Sequence, residues 1–333
     1  MRLSPGPEAT LRSTLPASGR RCYRYLMIDE NLALRDDVVA LFPGQGSLAG
    51  GAGLAWRQSA HWELVGRISE SAGLDVEYLL TEASDADVVR TDRAQIATFA
   101  LSLVCYHDLL DRGVRPRYLL GHSLGEFSAL VASGLLSLDD GARLIAVRGS
   151  AMAAAAAASE GSMVALMGGD DDALRALEVL TDIWVANING TGQIVVSGTR
   201  HALDHLLSVH RDVGWRRATP LPVGGAFHSP LMAPAQSELD RALASVHWGH
   251  TDQTLIANVD GAIHTSAEEW RALLSRQLTS PVEFLAATLA LPETVTTTVE
   301  MAPAGVLTGL TKRIRAFERQ VSPESPAQLE EVR

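Results

Sequence analysis

The pentapeptide Gly121-His122-Ser123-Leu124-Gly125 constrains the fold more than any other part of the sequence. An apolar run, Tyr118-Leu119-Leu120, precedes it and a helical pattern follows it. Glycines two positions before and after a serine permit a sharp strand-to-helix turn that raises the serine hydroxyl above the sheet. The pattern predicts a nucleophilic Ser123, in preference to a structural serine in an ordinary turn. The helix dipole and the N–H of Leu124 would stabilise negative charge developing beside it.

The chain around this turn alternates between strand and helix patterns from Asp37 onward, which is typical of an α/β fold. Between residues 160 and 223 the elements shorten and follow the order strand, helix, strand, strand, helix, strand. That order is typical of a ferredoxin-like unit. We therefore predict a ferredoxin-like small domain at 160–223, inserted into a discontinuous large α/β domain formed by 27–159 and 224–320.

The two ends of the chain differ in composition from the region between them. Residues 1–26 carry five arginines against one glutamate, and Pro, Ser and Gly interrupt them without apolar periodicity. We predict a disordered N-terminal extension there, with Met27 as an alternative start. Residues 321–333 contain two prolines and mixed charges, which predicts a frayed tail.

Composition excludes several classes of protein. The chain has 333 residues, of which 47% are hydrophobic and 20% charged, and its longest apolar stretches fall short of the roughly 20 residues that a membrane-spanning helix needs. Two cysteines, Cys22 and Cys105, cannot build a disulfide framework. We therefore expect a soluble protein of the cytoplasm. The formal charge of -11 argues against nucleic acid as a partner.

A nucleophilic serine needs a base, and His228 is the best candidate among the histidines. It lies in the glycine-rich stretch 223–230, where the small domain returns to the large one and a side chain would face the cleft between them. His122 sits inside the turn and is interpreted as structural. His201 and His205 are spaced for a metal pair, but no glutamate follows His201 and no third ligand is evident, so no metal site is predicted.

The turn after the first strand, 42–47, contains glycines at 44 and 46 and a glutamine at 45. Its spacing fails the dinucleotide-binding pattern G-x-G-x-x-G, and an ordinary turn would not need Gln45. In this class of serine enzyme, a second oxyanion donor comes from an early strand-to-helix loop. The turn is therefore interpreted as the second half of an oxyanion hole.

Six motifs in this order resemble the malonyl-CoA:acyl carrier protein transacylases and the acyltransferase domains of polyketide synthases, over about residues 37–318. They are Phe42-Pro43-Gly44-Gln45-Gly46-Ser47, Gly121-His122-Ser123-Leu124-Gly125-Glu126, Val147-Arg148-Gly149, Phe227-His228-Ser229, Arg276-Gln277-Leu278 ahead of Pro281-Val282, and the run 306–314. The resemblance implies an α/β-hydrolase-like large domain with a ferredoxin-like insertion, which agrees with the prediction from the element order.

The resemblance also implies roles for individual residues. Ser123 would take the acyl group from a CoA thioester, with His228 as base and later acid. The backbone carbonyl of Gln277 would orient His228, and the backbone N–H groups of Gln45 and Leu124 would form the oxyanion hole. The acyl group would then pass to the phosphopantetheine thiol of an acyl carrier protein, so that CoA thioester and carrier are substrates and no cofactor is bound.

Two further side chains bear on the acyl group. The resemblance implies that Arg148 binds the free carboxylate of malonyl in a bidentate pair. Without it, Arg148 would be interpreted as part of a surface ion pair. In the same family, a phenylalanine before the histidine accompanies malonyl selectivity, so Phe227 and Leu124 favour malonyl. Gly225, Leu48 and the stretch 301–304 depart from the more frequent versions of the motifs, so an unusual acyl group of polyketide biosynthesis stays open.

Docking of a typically acidic carrier on an acidic chain requires a local basic surface. Candidates on the last helix and before the serine turn are Lys312, Arg313, Arg315 and Arg319, and Arg115 and Arg117. The alternative for the helix is a cationic last turn that complements its dipole. The carrier could belong to fatty acid or to polyketide synthesis, with a synthase served in trans.

Two other functions stay open at this point. A serine hydrolase, either an editing thioesterase or a patatin-like lipase, would pair Ser123 with the aspartate of Asp260-Gly261-Ala262. That reading leaves His228 and Arg148 without a role. A catalytically silent scaffold that docks on a carrier or synthase would leave Ser123, His228 and Gln45 unexplained.

Overall fold

Ten strands lie within residues 32–332, the part of the chain that the computed structural model describes. In chain order they are β1 (Leu34–Phe42), β2 (Arg115–Gly121), β3 (Gly161–Met167), β4 (Ile183–Gly190), β5 (Gln193–Thr199), β6 (Arg217–Pro220), β7 (Thr254–Ile256), β8 (Ile263–His264), β9 (Thr297–Glu300) and β10 (Arg319–Val321). They form one sheet of six strands and one of four.

Helices connect these strands. They are α1 (Glu63–Ala72), α2 (Val76–Thr81), α3 (Asp85–Val88), α4 (Thr91–Asp111), α5 (Leu124–Ala132), α6 (Leu138–Ala158), α7 (Asp171–Leu177), α8 (Arg200–Val209), α9 (Ala233–Leu243), α10 (Ala267–Gln277), α11 (Phe284–Leu289) and α12 (Val306–Ile314). Short 3-10 turns occupy Leu54–Trp56, Pro230–Met232 and Pro326–Val332. Among the described helices, none combines the length and the apolar character needed to cross a membrane.

The six-stranded sheet has the order β10-β9-β1-β2-β7-β8, and all neighbours are parallel except β7 and β8. The run 38–42 of β1 is fully buried, as expected of a central parallel strand covered on both faces. The carboxyl ends of β1, β2 and β7 meet at one edge of the sheet. In open parallel sheets this edge is where sites form.

The four-stranded sheet is antiparallel and has the order β4-β5-β3-β6. Helices α7 and α8 contribute apolar residues to a core with these strands, and Trp215 is almost completely buried in it. The segment leaves the main sheet after α6 and returns before the turn Pro230–Met232. Thus the chain enters and leaves this sheet between the two residues predicted to react, Ser123 and His228.

Two backbone hydrogen bonds tie the four-stranded sheet to the rest of the chain. The N–H of Ile188 in β4 donates to the carbonyl of Val282 at 2.9 Å, and the N–H of Val282 donates to the carbonyl of Ala186 at 2.9 Å. Val282 follows α10 by a few residues. The end of α10, including Gln277, is therefore linked by main-chain bonds to the inserted segment.

The prediction of a frayed tail over 321–333 is wrong for the described residues. Strand β10 pairs in parallel with β9, and Leu329 and Val332 are buried. The guanidinium of Arg112 donates to the carbonyl of Pro326 at 2.6 Å. A few apolar side chains and an unpaired sheet edge are enough to order this segment, although its composition is polar. The predicted extension at 1–26 lies outside the described residues.

Candidate active site

The turn between β2 and α5 places Ser123 at the edge of the sheet where the strands end. Ser123 has φ 54° and ψ -111°, a left-handed conformation that side chains rarely adopt. A Cβ added at Gly121 would lie 2.1 Å from the nitrogen of Glu126, and one added at Gly125 would lie 2.0 Å from the carbonyl oxygen of Phe42. Only glycine fits at either position, because the turn packs directly against itself and against the end of β1.

Ser123 and His228 are in hydrogen-bond contact. The distance from Ser123 Oγ to His228 Nε2 is 2.7 Å, and His228 Nδ1 lies 2.9 Å from the carbonyl oxygen of Gln277. A carbonyl can only accept, so Nδ1 carries the proton and Nε2 is free to accept the proton of Ser123. His228 also has a positive φ, 56°. The three predicted residues thus form a continuous chain from hydroxyl to imidazole to main chain.

Burial controls the protonation state of His228, which is only 4% exposed. Burial, followed by the positive charge of Arg148, lowers the pKa of His228 to about 3, although its hydrogen bond to the Gln277 carbonyl acts in the opposite direction. The imidazole is therefore neutral near pH 7. A neutral imidazole can act as a general base.

Arg148 is buried at the floor of the site rather than exposed on its helix α6. One terminal nitrogen, Nη2, donates to Ser123 Oγ at 3.0 Å and to Gln277 Oε1 at 3.0 Å, and Nη1 donates to Gln95 Oε1. Its Nε has no hydrogen-bond partner among the described residues. Burial lowers the pKa of Arg148 to about 9, opposed by the nearby carboxylate of Glu126. A cation with spare donors beside the serine hydroxyl is suited to an anionic group.

Glu126 lies beneath this arrangement and is fully enclosed. Its Oε1 accepts a hydrogen bond from the N–H of Asn258 at 2.7 Å, and its Oε2 accepts one from Gln277 Nε2. Burial raises the pKa of Glu126 to about 7, against the effect of those hydrogen bonds and of Arg148. Glu126 in its ionised form thus interacts electrostatically with Arg148, and it holds the side chain of Gln277.

The site opens into a cleft of about 360 Å³ between the two sheets. Its lining includes Gly44, Gln45, Gly46 and Ser47 after β1, Ser123 and His228, Phe227, and Val306, Leu307 and Leu310 of α12. Gln45 therefore lies on the same cleft as Ser123, as predicted, and its Oε1 is buried without a partner in the described structure. The N–H of Leu124 occupies the first position of α5, where helical N–H groups have no partner within the helix.

The basic residues predicted to dock a carrier separate into two groups. Lys312 and Arg313 are exposed, and Arg313 Nη1 donates at 2.7 Å to Gln193 Oε1 on the cleft lining. Arg315 instead donates to three backbone carbonyls, those of residues 291, 292 and 295, and lies 4.7 Å over the ring of Phe317. Its assignment to docking is wrong, because these bonds hold its guanidinium against the segment that precedes β9.

The remaining docking candidates are also committed elsewhere. Arg115 is 4% exposed and makes a bidentate ion pair with Asp252, at 3.0 and 2.6 Å. Arg117 donates to Asp36 at 2.7 Å, and Arg319 to the carbonyl of Glu331 at 2.7 Å. These arginines stabilise the base of the sheet and the C-terminal segment. Arg115 and Arg117 begin β2, whose opposite end leads into the turn with Ser123.

Two site residues were missed at the level of sequence. Asn258 Oδ1 accepts from the N–H of Ser123 at 2.6 Å, and its Nδ2 donates to the Gly121 carbonyl at 2.7 Å, so it holds the turn from both sides. Asn258 comes just after β7, the neighbour of β2, and that position was the available signal. Gln95, which contacts Arg148, sits on the interior face of α4 and has no comparable signal.

The competing aspartate does not reach the site. Asp260 accepts from His264 Nε2 at 3.0 Å and from the N–H of Ala262 at 3.1 Å, and it does not line the cleft that holds Ser123. His201 and His205, the other predicted pair, are exposed on α8. The described structure thus brings together Ser123, His228, Gln277 and Arg148.

Comparison with known proteins agrees with this geometry. A model of the acyl transferase domain family matches residues 39–327. The malonyl CoA-acyl carrier protein transacylase of Bacillus subtilis is 34% identical over 301 residues, covering 88% of this chain and 95% of that protein. The crystal structure of an acyl carrier protein S-malonyltransferase from Vibrio cholerae has a TM-score of 0.83 and 33% identity, covering 89% of this chain and 100% of that chain.

A third comparison includes a partner. A malonyl-transacylase solved in complex with a holo acyl carrier protein of a type II polyketide synthase has a TM-score of 0.83 and 30% identity. The match covers 88% of this chain and 98% of that transacylase. The family model spans most of the chain, and the relatives match over almost their full length. The chain therefore belongs to the acyl transferase domain family, and within it to the malonyl CoA-acyl carrier protein transacylases.

Proposed function

We propose that this chain transfers a malonyl group from CoA to the phosphopantetheine thiol of an acyl carrier protein, through an ester on Ser123. One observation carries the proposal beyond family membership. The Ser123 hydroxyl lies 2.7 Å from a neutral imidazole and 3.0 Å from a buried guanidinium. The first contact activates the oxygen, and the second offers a counter-ion for a carboxylate close to the reacting atom.

The first half-reaction forms the acyl-enzyme. Ser123 Oγ attacks the thioester carbonyl carbon while its proton moves to His228 Nε2. The backbone N–H groups of Gln45 and Leu124 stabilise the oxyanion, where loss of one donor typically costs about 10² to 10³ in rate. The carbon–sulfur bond then breaks, and His228 returns the proton to the sulfur of CoA. The Gln277 carbonyl holds the imidazole in the tautomer that this cycle requires.

The second half-reaction reverses the first with a different thiol. The carrier's phosphopantetheine thiol gives its proton to His228 as its sulfur attacks the ester carbonyl. The bond to Ser123 Oγ breaks, and the oxygen recovers the proton. No oxidation state changes in either step, so CoA thioester and carrier are the substrates and no redox cofactor is required. The cycle is a ping-pong exchange between thioesters of similar energy.

Arg148 supplies the selection for malonyl in this scheme. A free carboxylate on the acyl group would pair with the guanidinium of Arg148. An acetyl group would leave that buried cation without a counter-ion. Phe227, which is 3% exposed and lines the cleft, limits the space beside the carbon that carries the carboxylate. We therefore propose malonyl as the preferred acyl group.

The two sheets correspond to two proposed domains. Strand order β4-β5-β3-β6 with two helices supports a ferredoxin-like small domain at 160–223. The mainly parallel sheet, which includes β10, supports an α/β-hydrolase-like large domain formed by the described residues on either side of that segment. Ser123 precedes the small domain in the chain, and His228 and Gln277 follow it. The insertion thus forms a second wall of the cleft without interrupting the contact between the reacting residues.

The experiment that tests the function is intact-protein mass spectrometry after exposure to malonyl-, methylmalonyl- and acetyl-CoA. We expect a stable malonyl adduct on Ser123 that disappears when a holo carrier protein is added. Continuous release of free malonate with no adduct would indicate the hydrolase instead. Absence of both adduct and release would indicate a silent scaffold. Carriers of fatty acid and of polyketide synthesis, compared in the second step, identify the pathway served.

The pH dependence of acylation follows from the low pKa of His228. An ordinary histidine, with a pKa near 6.5, would lose its basic form as the pH falls below that value. Because the pKa of His228 is about 3, we expect the single-turnover rate of Ser123 acylation to show no histidine-type decline between about pH 8 and pH 5. Release of CoA in rapid-quench experiments measures this rate.

Glu126, with a pKa of about 7, titrates within this pH range, so Glu126→Gln is the matched variant. An inflection near pH 7 that disappears in Glu126→Gln belongs to Glu126 and leaves the expectation for His228 intact. A decline centred near pH 6.5 that persists in Glu126→Gln would contradict the neutral, buried base.

Lys312 and Arg313 form the proposed contact for the carrier, since they are exposed and Arg313 borders the cleft. Arg313→Glu should raise the KM for carrier protein about fivefold, equivalent to about 1 kcal/mol, and leave the KM for malonyl-CoA unchanged. Steady-state kinetics with each substrate varied in turn measures both constants. Arg271→Glu, an exposed charge reversal on α10 outside the cleft lining, is the control. Equal changes in both constants would argue against docking at α12.

A further inference from the structure

A second cluster of ionisable groups lies away from the cleft, where the loop before α1 packs against the last turn of α4. His61 comes from the loop, and Asp108 and Asp111 come from one face of α4. One nitrogen and two carboxylate oxygens, one from each residue, all lie within 4.8 Å of one another. Asp108 follows Gln95 by thirteen residues, about 20 Å along the helix. The cluster is therefore remote from Arg148 and the reacting serine.

Asp108 carries the observation that calls for a ligand. Asp108 is only 5% exposed, and its Oδ2 has no hydrogen-bond partner among the described residues. The side chain of Ser59 interacts with the same carboxyl group, and Oδ2 stays without a hydrogen-bond partner in the described structure. A buried carboxylate oxygen without a partner is costly, and such groups in native proteins are normally satisfied by a donor or an ion.

Within residues 32–332 no side-chain donor satisfies Asp108 Oδ2, although the charges of His61 and Arg112 act on this carboxylate. Arg112 follows Asp108 by four residues, but its terminal nitrogens donate to the backbone carbonyls of Asp108 and Pro326, at 2.7 and 2.6 Å. Its Nε faces Glu330 at 3.5 Å. His61 turns its Nε2 to Asp111 Oδ2 at 2.8 Å. The carboxylate of Asp108 therefore faces the other two residues with one oxygen still available.

The donor set determines which ion would bind. One imidazole nitrogen with two carboxylate oxygens is suited to a small divalent transition metal, and three protein ligands with one water complete a tetrahedral shell for Zn²⁺. Asp111 is 59% exposed at its side chain, so the site has an open approach from solvent. The ring of His107 lies beside that of His61, with centroids 5.3 Å apart and planes tilted by 36°.

We propose that His61, Asp108 and Asp111 bind a divalent transition metal ion, with Zn²⁺ as the preferred occupant. The ion takes the place of the proton between His61 Nε2 and Asp111, and it satisfies Asp108 Oδ2. Because the ligands come from two elements separated by 47 residues or more, the ion clamps the loop before α1 to the end of α4. The site is structural and independent of the malonyl transfer proposed above.

The test is isothermal titration of untagged, chelator-treated protein with Zn²⁺, alongside thermal unfolding with and without the ion. The exposed pair His201 and His205 is the main competing binder, so all proteins carry His201→Gln. We expect one equivalent of Zn²⁺ to bind and to raise Tm, because an ion that binds only the folded state stabilises it. In that background, Asp108→Asn and His61→Gln should each weaken binding by tenfold or more.

Asp111→Asn tests the same site with a variant that is expected to fold normally, since this residue is exposed and its replacement leaves the core intact. It should weaken Zn²⁺ binding in the same direction. His264→Gln is the matched control, because His264 also contacts two carboxylates but through different ring nitrogens, Nε2 to Asp260 and Nδ1 to Glu269, so the three groups do not converge on one ion. This variant should bind Zn²⁺ as the parent protein does. Unchanged Zn²⁺ affinity in His61→Gln and Asp111→Asn, or no saturable binding by the parent protein, would overturn the proposal.

Discussion

Replacing Ser123 with alanine is expected to lower the rate of malonyl transfer to a carrier protein by about 10⁴-fold or more. The hydroxyl is the only group that the proposed mechanism acylates, and the variant removes the oxygen that lies 2.7 Å from His228 Nε2. The same variant should show no malonyl adduct by intact-protein mass spectrometry. Transfer of radiolabelled malonyl to holo carrier measures the remaining rate.

The matched control is Ser128→Ala on the same helix. Ser128 Oγ is buried and has no hydrogen-bond partner in the described structure, so its removal changes neither the turn nor the cleft. Ser128→Ala should acylate and transfer as the parent protein does. Retention of a malonyl adduct in Ser123→Ala would show that another side chain carries the acyl group and would refute the assignment.

Arg148→Ala should reverse the preference between acyl groups. Malonyl transfer is expected to fall by about 10³-fold in kcat/KM, because the carboxylate loses a charged bidentate partner in a buried site. Acetyl transfer should stay the same or increase, since no charge is left unused when a neutral group binds. Steady-state kinetics with malonyl-CoA and acetyl-CoA under identical conditions give the ratio of the two kcat/KM values, which tests the prediction.

Acetyl transfer also serves as the internal control for folding of Arg148→Ala. The variant removes donors from Gln95 and Gln277 and leaves Glu126 without its nearest cation, so some loss of stability is expected. Arg148→Lys keeps a charge but cannot form the bidentate pair, and it should recover only part of the malonyl rate. An unchanged ratio of malonyl to acetyl transfer in Arg148→Ala would remove Arg148 from substrate selection.

The parts of the site that were predictable from sequence are those with local backbone requirements. Gly121 and Gly125 are visible because a Cβ at either position would collide with main chain a few residues away or at the end of β1. Asn258 and Gln95 were missed because their roles depend on which strand lies beside β2 and on how α4 packs against α6. Such contacts between distant segments leave no periodic pattern in the chain.

The same reasoning explains the errors at the C-terminal end. Leu329 and Val332 stand among charged residues, so composition predicts a frayed tail, yet both are buried. Arg315 has the charge expected of a docking residue, but its guanidinium donates hydrogen bonds to three backbone carbonyls in the segment before β9. In both cases, the decisive partner is supplied by a part of the chain that sequence spacing does not bring close.

Ser123 and His228 share an unusual backbone. Among the described residues, three positions other than glycine have a positive φ, and two of them are the pair in hydrogen-bond contact at the site. Such conformations cost about 1 to 3 kcal/mol each and persist only where the surroundings enforce them. Chemistry and stability therefore oppose each other at these two positions. Glycine would relieve this cost at either position, but it would remove the hydroxyl or the imidazole on which the proposed transfer depends.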